Sequence, residues 1–212
     1  MSTVQDSPAS IAFSTDAPSA LPEEKLFLFT AELFGRMIDA EVFAAEDRVE
    51  LWDGRIYEKM AKTQAHTVSG NKTLLALVRH LPAGWFPGSE NPVTINQSRV
   101  PLPDLVVLRG VPDDYVDRRP APADLGLIVE FSLTSLRSDT GSKLAGYAEA
   151  NIPVYWVLDL IKNVVLVFER PIPAERRYES AQTYAVGQAV PLRLDGVLVA
   201  EIPALDLLPI RV

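Results

Sequence analysis

The run LGLIVEFS, residues 125–132, constrains the fold more than any other segment of this chain. It is apolar almost without interruption, a composition typical of a strand that is buried on both faces. Two further apolar runs, VYWVLDL at 154–160 and VVLVFER at 164–170, are predicted to form strands joined by a turn near Lys162 and Asn163. A sheet of this kind needs packed structure on both of its sides.

Three segments are predicted to form helices. Residues 26–40 carry apolar side chains at spacings of three and four, and Thr30 can cap them. A second helix is predicted over 64–81, where Pro82 closes it, and a third over about 138–151. These helices are expected to flank the sheet.

Turn residues predict the remaining β-structure. Asp53-Gly54 and Asp195-Gly196 are hairpin signals between alternating runs. A Gly/Pro-rich turn is expected at 85–88, followed by strands at 91–97 and within 100–110. The element order predicts an α/β or α+β fold, with a mixed central β-sheet flanked by helices and an added β-hairpin region.

Domain organisation follows from composition along the chain. Residues 1–22 are rich in Ser, Ala, Pro, Asp and Thr, and we expect them to be a disordered N-terminal tail. Residues 23–212 are predicted to be a single domain, because they contain neither an internal repeat nor a linker.

The chain has no cysteine and only two histidines, which excludes disulfides, thiol nucleophiles and Cys-based or His-rich metal centres. Any metal is expected to be a hard cation held by oxygen ligands. The formal net charge of −8 argues against broad, non-specific nucleic-acid binding but allows a local basic groove. Without an 18-residue apolar stretch or a secretory signal, we expect a soluble, cytoplasmic protein with no membrane association.

Two carboxylates are candidates for a site. Glu130 interrupts the buried strand, where an uncompensated charge costs several kcal/mol. Asp104 follows Pro103 at the head of another apolar strand. On adjacent strands, the two would be a minimal Mg²⁺ site. The alternatives are that Glu130 lies at a strand end and points to solvent, and that Asp104 only forms a strand-entry turn.

Lys143 is a third candidate. Asp139, Lys143 and Tyr147 lie at i, i+4 and i+8, so they share one helix face. A helix after the Glu130 strand can aim the ammonium group at the carboxylates, where it would orient a water or stabilise charge on a phosphate. The alternative is a solvated Asp139–Lys143 pair of little energetic weight.

The segments PD-LVVL at 103–108, IVEFS-TS at 128–135 and D-GSKLAGYAEANIPVYWVLD at 139–159 resemble the Uma-two family of restriction-endonuclease-like bacterial proteins. The upstream ELWDGRIYEKM at 50–60 and the helix opening at His66 also resemble that family, and the resemblance covers roughly residues 30–210. The family is similar in fold to the PD-(D/E)xK nuclease superfamily, whose core is a four-stranded mixed sheet flanked by helices.

The resemblance implies that Asp104 and Glu130 are Mg²⁺ (or Mn²⁺) ligands in a site for phosphodiester hydrolysis. It implies that Lys143 replaces the superfamily lysine, because Ser132 stands where that lysine would follow the acid. Glu50 is the better of two further acidic candidates, and Glu50 or Glu58 can equally be a solvated strand residue. His66 and Ser132 are candidate substrate contacts, with a surface or capping role as the alternative for His66.

Two functions follow. The leading hypothesis is a Mg²⁺-dependent endonuclease acting on DNA. The second function, its alternative, is that of a catalytically inactive nuclease-fold protein that serves as a binding or assembly module. The net charge and the absence of the E-x-K lysine favour the second function. A homodimer is expected for an enzyme that cuts both strands of a duplex. A basic stripe beside the carboxylates would favour DNA, with the following candidates: Arg99, Arg109, Arg118, Arg119 and Arg137.

Overall fold

The computed structural model describes residues 26–44 and 46–209, so the predicted tail at 1–22 lies outside the described residues. The helices are α1 (Ala31–Asp39), α2 (Gln64–His80), α3 (Leu136–Ser138) and α4 (Leu144–Glu149). The first five strands are β1 (Val49–Trp52), β2 (Arg55–Glu58), β3 (Trp85–Ser89), β4 (Leu105–Arg109) and β5 (Leu125–Ser132). The others are β6 (Val154–Asp159), β7 (Val164–Ile172), β8 (Arg177–Ala185), β9 (Ala189–Leu194) and β10 (Val197–Pro203).

A six-stranded mixed sheet in the order β3-β4-β5-β6-β7-β8 forms the centre. Its β5 and β6 pair in parallel, and the other neighbours pair antiparallel. The hairpins β1-β2 and β9-β10 form two separate small sheets. The predicted mixed sheet with flanking helices and an added hairpin region is therefore confirmed.

Strand β5 lies inside the sheet and is buried along its whole length. Because side chains alternate across a strand, Val129 and Phe131 pack with α2 and the β9-β10 hairpin, whereas Ile128 packs with Tyr147 of α4. Glu130 has the same parity as Ile128. It therefore faces the side of the sheet that α4 covers.

The first predicted helix begins later than expected. Helix α1 starts at Ala31, and Thr30 caps it by accepting a hydrogen bond from the backbone N–H of Leu33 at 3.1 Å. Residues 26–30 lie outside the helix, and the backbone N–H of Phe29 donates to the carbonyl oxygen of Gly54 at 2.8 Å. The periodic apolar pattern over 26–30 was misleading because these residues pair with the first hairpin instead. Helix α2 agrees with its prediction to within one residue.

The strand predicted at 91–97 is wrong. The edge strand is β3, which pairs with β4 through the segment predicted to be a turn. Its internal Pro87 is tolerated because an edge strand leaves one side of its backbone unpaired. Residues 91–97 instead make isolated hydrogen bonds, such as Val93 N–H to the carbonyl oxygen of Pro101 at 3.0 Å and Thr94 N–H to that of Pro120 at 2.9 Å.

Both predicted Asp-Gly hairpins are confirmed. Asp53 and Gly54 have φ of 49° and 74°, and Asp195 and Gly196 have φ of 51° and 78°. A turn with two successive positive φ values matches the twist of the flanking strands, and Gly meets that requirement at little cost.

The helix predicted over 138–151 is divided. A π-helical turn, Asp139–Lys143, joins α3 to α4, and the chain leaves α4 at Asn151, which has φ of 59°. The wider turn brings Asp139 and Lys143 into the interior, where both are buried. No helix among residues 26–44 and 46–209 has the length and apolar character that crossing a membrane requires.

Candidate active site

A cavity of about 250 Å³ lies between the β1-β2 hairpin, the start of α2, the end of β5 and the π-helical turn. Its charged lining includes most of the predicted site residues. They are Glu50, His66, Asp104, Glu130 and Lys143. Among the candidates from the sequence, Ser132 does not line this cavity.

Asp104 lies just before β4 and is buried. Its Oδ2 accepts hydrogen bonds from the backbone N–H of Phe131 at 2.9 Å and pairs with His66 Nε2 at 3.1 Å. Its Oδ1 accepts from Lys59 Nζ at 2.9 Å. Burial by itself raises the pKa of Asp104, but the His66 hydrogen bond and the charge of Lys59 outweigh it and lower the pKa. Asp104 is therefore a carboxylate, not only a turn former.

Glu130 on β5 is compensated from two sides. Its Oε1 accepts from Lys143 Nζ at 3.0 Å and from the Tyr147 hydroxyl at 3.1 Å, and its Oε2 accepts from Lys59 Nζ at 3.2 Å. Burial raises the pKa of Glu130 to about 7, against the lowering effect of the two lysines. The alternative in which Glu130 points to solvent is wrong, because its side chain is enclosed.

Lys143 lies between two carboxylates, 3.0 Å from Glu130 Oε1 and 3.1 Å from Glu50 Oε1. Burial by itself lowers the pKa of Lys143, but the negative charges of Glu130 and Glu50 have a larger effect in the opposite direction. The pKa of Lys143 is therefore raised above its ordinary value. The alternative of a solvated Asp139–Lys143 pair is wrong. Asp139 instead accepts hydrogen bonds from the hydroxyls of Ser132 and Ser135.

Glu50 is buried, which overturns the alternative of a solvated strand residue. Both faces of β1 are covered: Leu51 packs with Phe34 of α1, and Trp52 packs with Tyr147 of α4. Glu50 shares the face of Trp52, and its Oε2 also accepts from the backbone N–H of Leu102 at 3.2 Å. Glu58, in contrast, is exposed at the rim of the cavity.

Lys59 is the site residue that sequence reasoning missed. It follows β2 directly, and its Nζ donates to Asp104, to Glu130 and, at 2.8 Å, to the carbonyl oxygen of Leu102. The sequence signal was available in ELWDGRIYEKM, where the hairpin returns Lys59 to the end that carries Glu50. It was missed because only the acidic residues of that segment were considered as candidates.

His66 and Ser132 have different surroundings. The backbone N–H of His66 donates to the capping Thr63 hydroxyl at 3.4 Å, while its ring pairs with Asp104 and contacts Phe131 edge-on. His66 is therefore both a helix-start residue and part of the cavity wall. Ser132 is buried and donates to Asp139, so it supports the π-helical turn rather than the cavity surface.

The five arginines considered for a basic stripe do not form one beside the carboxylates, which weakens the argument for a DNA substrate. Arg99 is buried in ion pairs with Asp53 and Glu149, and Arg109 pairs with Asp195. Other contacts account for two more of the candidates: Arg118 with Asp124, and Arg119 beside Gly35. Arg137 is exposed on α3 next to the cavity rim. Arg118 and Arg119 line a different pocket, beside α1. The basic groups that line the cavity are Arg48, Lys59 and Lys143.

The oxygen atoms of the cavity fit a hard divalent cation. Within the described residues, no group of three or more His, Asp or Glu side chains is arranged to hold a metal by itself. Two carboxylates and the Leu102 carbonyl nevertheless converge on one point, the Nζ of Lys59. Mg²⁺ is usually held by one or two carboxylates and keeps several waters, so this donor set suffices.

A family model named Uma2, with the description "Putative restriction endonuclease", matches residues 31–199. The chain belongs to the Uma2 family. The resemblance drawn from the sequence is thereby confirmed, and membership supports a nuclease function in general terms. The Uma2 region contains every residue that lines the cavity.

The fold is also similar to that of a solved structure, a "putative nuclease belonging to DUF820 from Anabaena variabilis ATCC 29413". The TM-score is 0.64 at 13% identity, and the match covers 84% of this chain and 97% of the other. At that identity the likeness concerns the fold alone. Among proteins with curated descriptions, none matches this Uma2 chain significantly.

Proposed function

We propose that this protein is a Mg²⁺-dependent endonuclease, also served by Mn²⁺, that hydrolyses phosphodiester bonds of DNA. One observation carries the proposal. Asp104, just before β4, and Glu130, on β5, each present one oxygen to the Lys59 ammonium group, at 2.9 and 3.2 Å, inside an open cavity. Membership in the Uma2 family supports the reaction class.

Asp104, Glu130 and the carbonyl oxygen of Leu102 would hold the metal. When bound, the ion lowers the pKa of a bound water and polarises the phosphate. Each ligand is fixed by another part of the chain. His66 and the Phe131 N–H hold the Asp104 carboxylate, and Tyr147 and Lys143 hold the inner oxygen of Glu130.

Basic side chains near the cavity mouth support an anionic substrate. Arg48 and Lys62 both contact Glu90, and Arg48 Nη2 lies 3.6 Å from Asp104 Oδ1. A phosphate that approaches the cavity would bind Arg48 and Lys62 by taking the place of Glu90 as their partner. DNA binding through these few contacts should depend on salt, because each contact releases a counterion.

The test is plasmid nicking with Mg²⁺ or Mn²⁺ by the wild type and by Asp104→Asn and Glu130→Gln. The matched control is Asp159→Asn, because Asp159 is equally buried at the end of β6 but is not part of the cavity lining. We expect cleavage by the wild type and the control, and a loss of at least about a hundredfold in the two site variants. Cleavage that persists in both site variants would refute the proposal.

A catalytically inactive binding module is the second outcome of that test. It would be supported if the wild type binds metal and DNA but nicks neither strand.

Cleavage of both strands calls for two active sites, so we propose that the enzyme acts as a homodimer. Sedimentation equilibrium of the wild type with and without duplex DNA tests this, and a monomer in both samples would refute it.

A further inference from the structure

Lys59 holds the position at which the candidate metal ligands converge. Its Nζ donates to the Leu102 carbonyl at 2.8 Å, to Asp104 Oδ1 at 2.9 Å and to Glu130 Oε2 at 3.2 Å. An ammonium group has three donors, so all three are used on these oxygens. No other cation among the described residues contacts Asp104 and Glu130 together at hydrogen-bond distance.

The charges of the cluster allow a divalent cation to take the place of the Lys59 ammonium group. Glu50, Asp104 and Glu130 provide three carboxylates against the ammonium groups of Lys59 and Lys143. The Arg48 guanidinium, 3.6 Å from Asp104 Oδ1, is a third positive group beside these carboxylates, and it also pairs with Glu90. A divalent cation in place of the Lys59 ammonium group balances the three carboxylates with Lys143 still in position.

The side chain of Lys59 can leave without moving the backbone. Its backbone N–H donates to the carbonyl oxygen of Arg48 at 2.7 Å, which fixes the Cα position. The side chain is 15% exposed against 4% for Asp104, so it lies toward the open part of the cavity. Its four methylene groups rotate independently of the strand, and the residues that follow, up to α2, are outside any helix or strand.

Lys143 does not have this role. It contacts the other oxygen of Glu130, Oε1, and its second partner is Glu50. Its backbone belongs to the π-helical turn, and its side chain is buried more deeply than that of Lys59. Lys143 therefore remains a fixed counter-ion when the cation position changes occupant.

We propose that Lys59 is the resident cation of the metal position, and that a divalent metal ion binds by displacing its ammonium group from Asp104 and Glu130 toward the cavity mouth. This inference rests on the metal dependence in the proposed function. In this exchange, the free energy of metal binding is the free energy gained from metal coordination minus the free energy lost with the three hydrogen bonds of Lys59. Removing the charge of Lys59 therefore strengthens metal binding.

The test is calorimetric titration of Mn²⁺ into the wild type, Lys59→Met and Lys62→Met. Methionine is unbranched like lysine and one atom shorter, and it carries no charge. Lys62 is the matched control because it lies three residues away and pairs with Glu90 at 2.9 Å, but contacts neither Asp104 nor Glu130. We expect Lys59→Met to bind Mn²⁺ about tenfold more tightly or better, and Lys62→Met to stay within about twofold of the wild type.

A Lys59→Met variant that binds Mn²⁺ no more tightly than the wild type, with both folded, would overturn the exchange. So would absence of Mn²⁺ binding in both proteins. The two proposals fail separately. If Lys59→Met binds more tightly but the wild type does not nick DNA, the exchange stands and the nuclease fails. If the wild type nicks DNA but Lys59→Met gains no affinity, the nuclease stands and the exchange fails.

A measurement on the wild type keeps the test valid if Lys59→Met does not fold. Lysine Cε carbons are labelled with ¹³C, and the Lys59 and Lys143 signals are assigned with the Lys59→Arg and Lys143→Arg variants. Upon Mg²⁺ titration we expect the Lys59 signal to move and sharpen toward that of exposed lysines, while the Lys143 signal stays close to its starting position. A Lys59 signal that is unchanged at Mg²⁺ saturation would overturn the exchange.

Discussion

Gly146 on α4 lies directly against the indole of Trp52 on β1. A Cβ at this glycine would come within 2.6 Å of Trp52 Cζ2, so only a residue without a side chain allows the hairpin to dock so closely. Trp52 also contacts Tyr147 edge-on at 5.7 Å between ring centroids. This contact sets the distance between the hairpin, with Glu50 and Lys59, and α4, which directly follows Lys143.

The first prediction concerns this close approach. Gly146→Ala is expected to lower the free energy of unfolding by about 1–3 kcal/mol, because the added methyl group overpacks the interface. Gly141→Ala is the control, since a Cβ there meets no atom within 4 Å. Urea unfolding of both variants measures the effect. Equal stability of the two variants would show that the hairpin shifts without cost.

The second prediction concerns the buried ion pairs of Lys143. Lys143→Met leaves Glu50 and Glu130 short of a counter-ion in the interior, so the free energy of unfolding in EDTA should fall by about 3–5 kcal/mol. Lys162→Met, at an exposed turn, should change it by less than about 0.5 kcal/mol. The expectation fails if Lys143→Met unfolds at the same urea concentration as the control.

The third prediction concerns acid stability. The pKa of Asp104 is lower in the folded protein than in the unfolded chain, so its carboxylate stabilises the fold above the unfolded value of 3.8. That contribution is lost as the pH falls below this value toward the folded pKa. In EDTA, the free energy of unfolding should therefore fall more steeply below about pH 4 for the wild type than for Asp104→Asn. Parallel curves would contradict the lowered pKa.

The fourth prediction concerns His66. Its ring holds Asp104 at 3.1 Å, and loss of a group that orients a metal ligand typically weakens metal binding by about 10–100-fold. His66→Ala should show that loss in Mn²⁺ calorimetry. His80→Ala replaces the second histidine of the chain, on the last turn of the same helix, and should bind Mn²⁺ like the wild type. Equal Mn²⁺ affinities of the two variants would show that His66 does not support the metal site.

The strands of the core were predictable because their composition is unambiguous. An apolar run such as 125–132 can only be stable when both faces are covered, and a carboxylate inside it has to be compensated. This is why Glu130 could be singled out from the sequence. Asp104 was a candidate because it follows Pro103 at the head of another apolar strand. The Asp-Gly turns were equally predictable, because few dipeptides tolerate two positive φ values.

Competing patterns account for the errors. Residues 91–97 alternate like a strand, but β4 pairs instead with 85–89, where Pro87 had indicated a turn. A solvated side chain was also an alternative for Glu50, because the apolar neighbours Val49 and Leu51 indicated that the opposite face of the strand is the buried one. In the structure a helix covers each face of β1. The alternation of apolar and polar residues therefore does not indicate which side chains of β1 are exposed.

The mixed sheet, its buried strands and two of the carboxylates that line the cavity, Asp104 and Glu130, could be inferred from the sequence. Which cation lies between those two carboxylates depended on tertiary packing. Lys59 is 45 residues from Asp104 and 71 from Glu130, and it reaches both because the hairpin docks against Gly146. Local sequence patterns indicate burial and turns, whereas a contact between residues so far apart in the sequence depends on how distant elements pack.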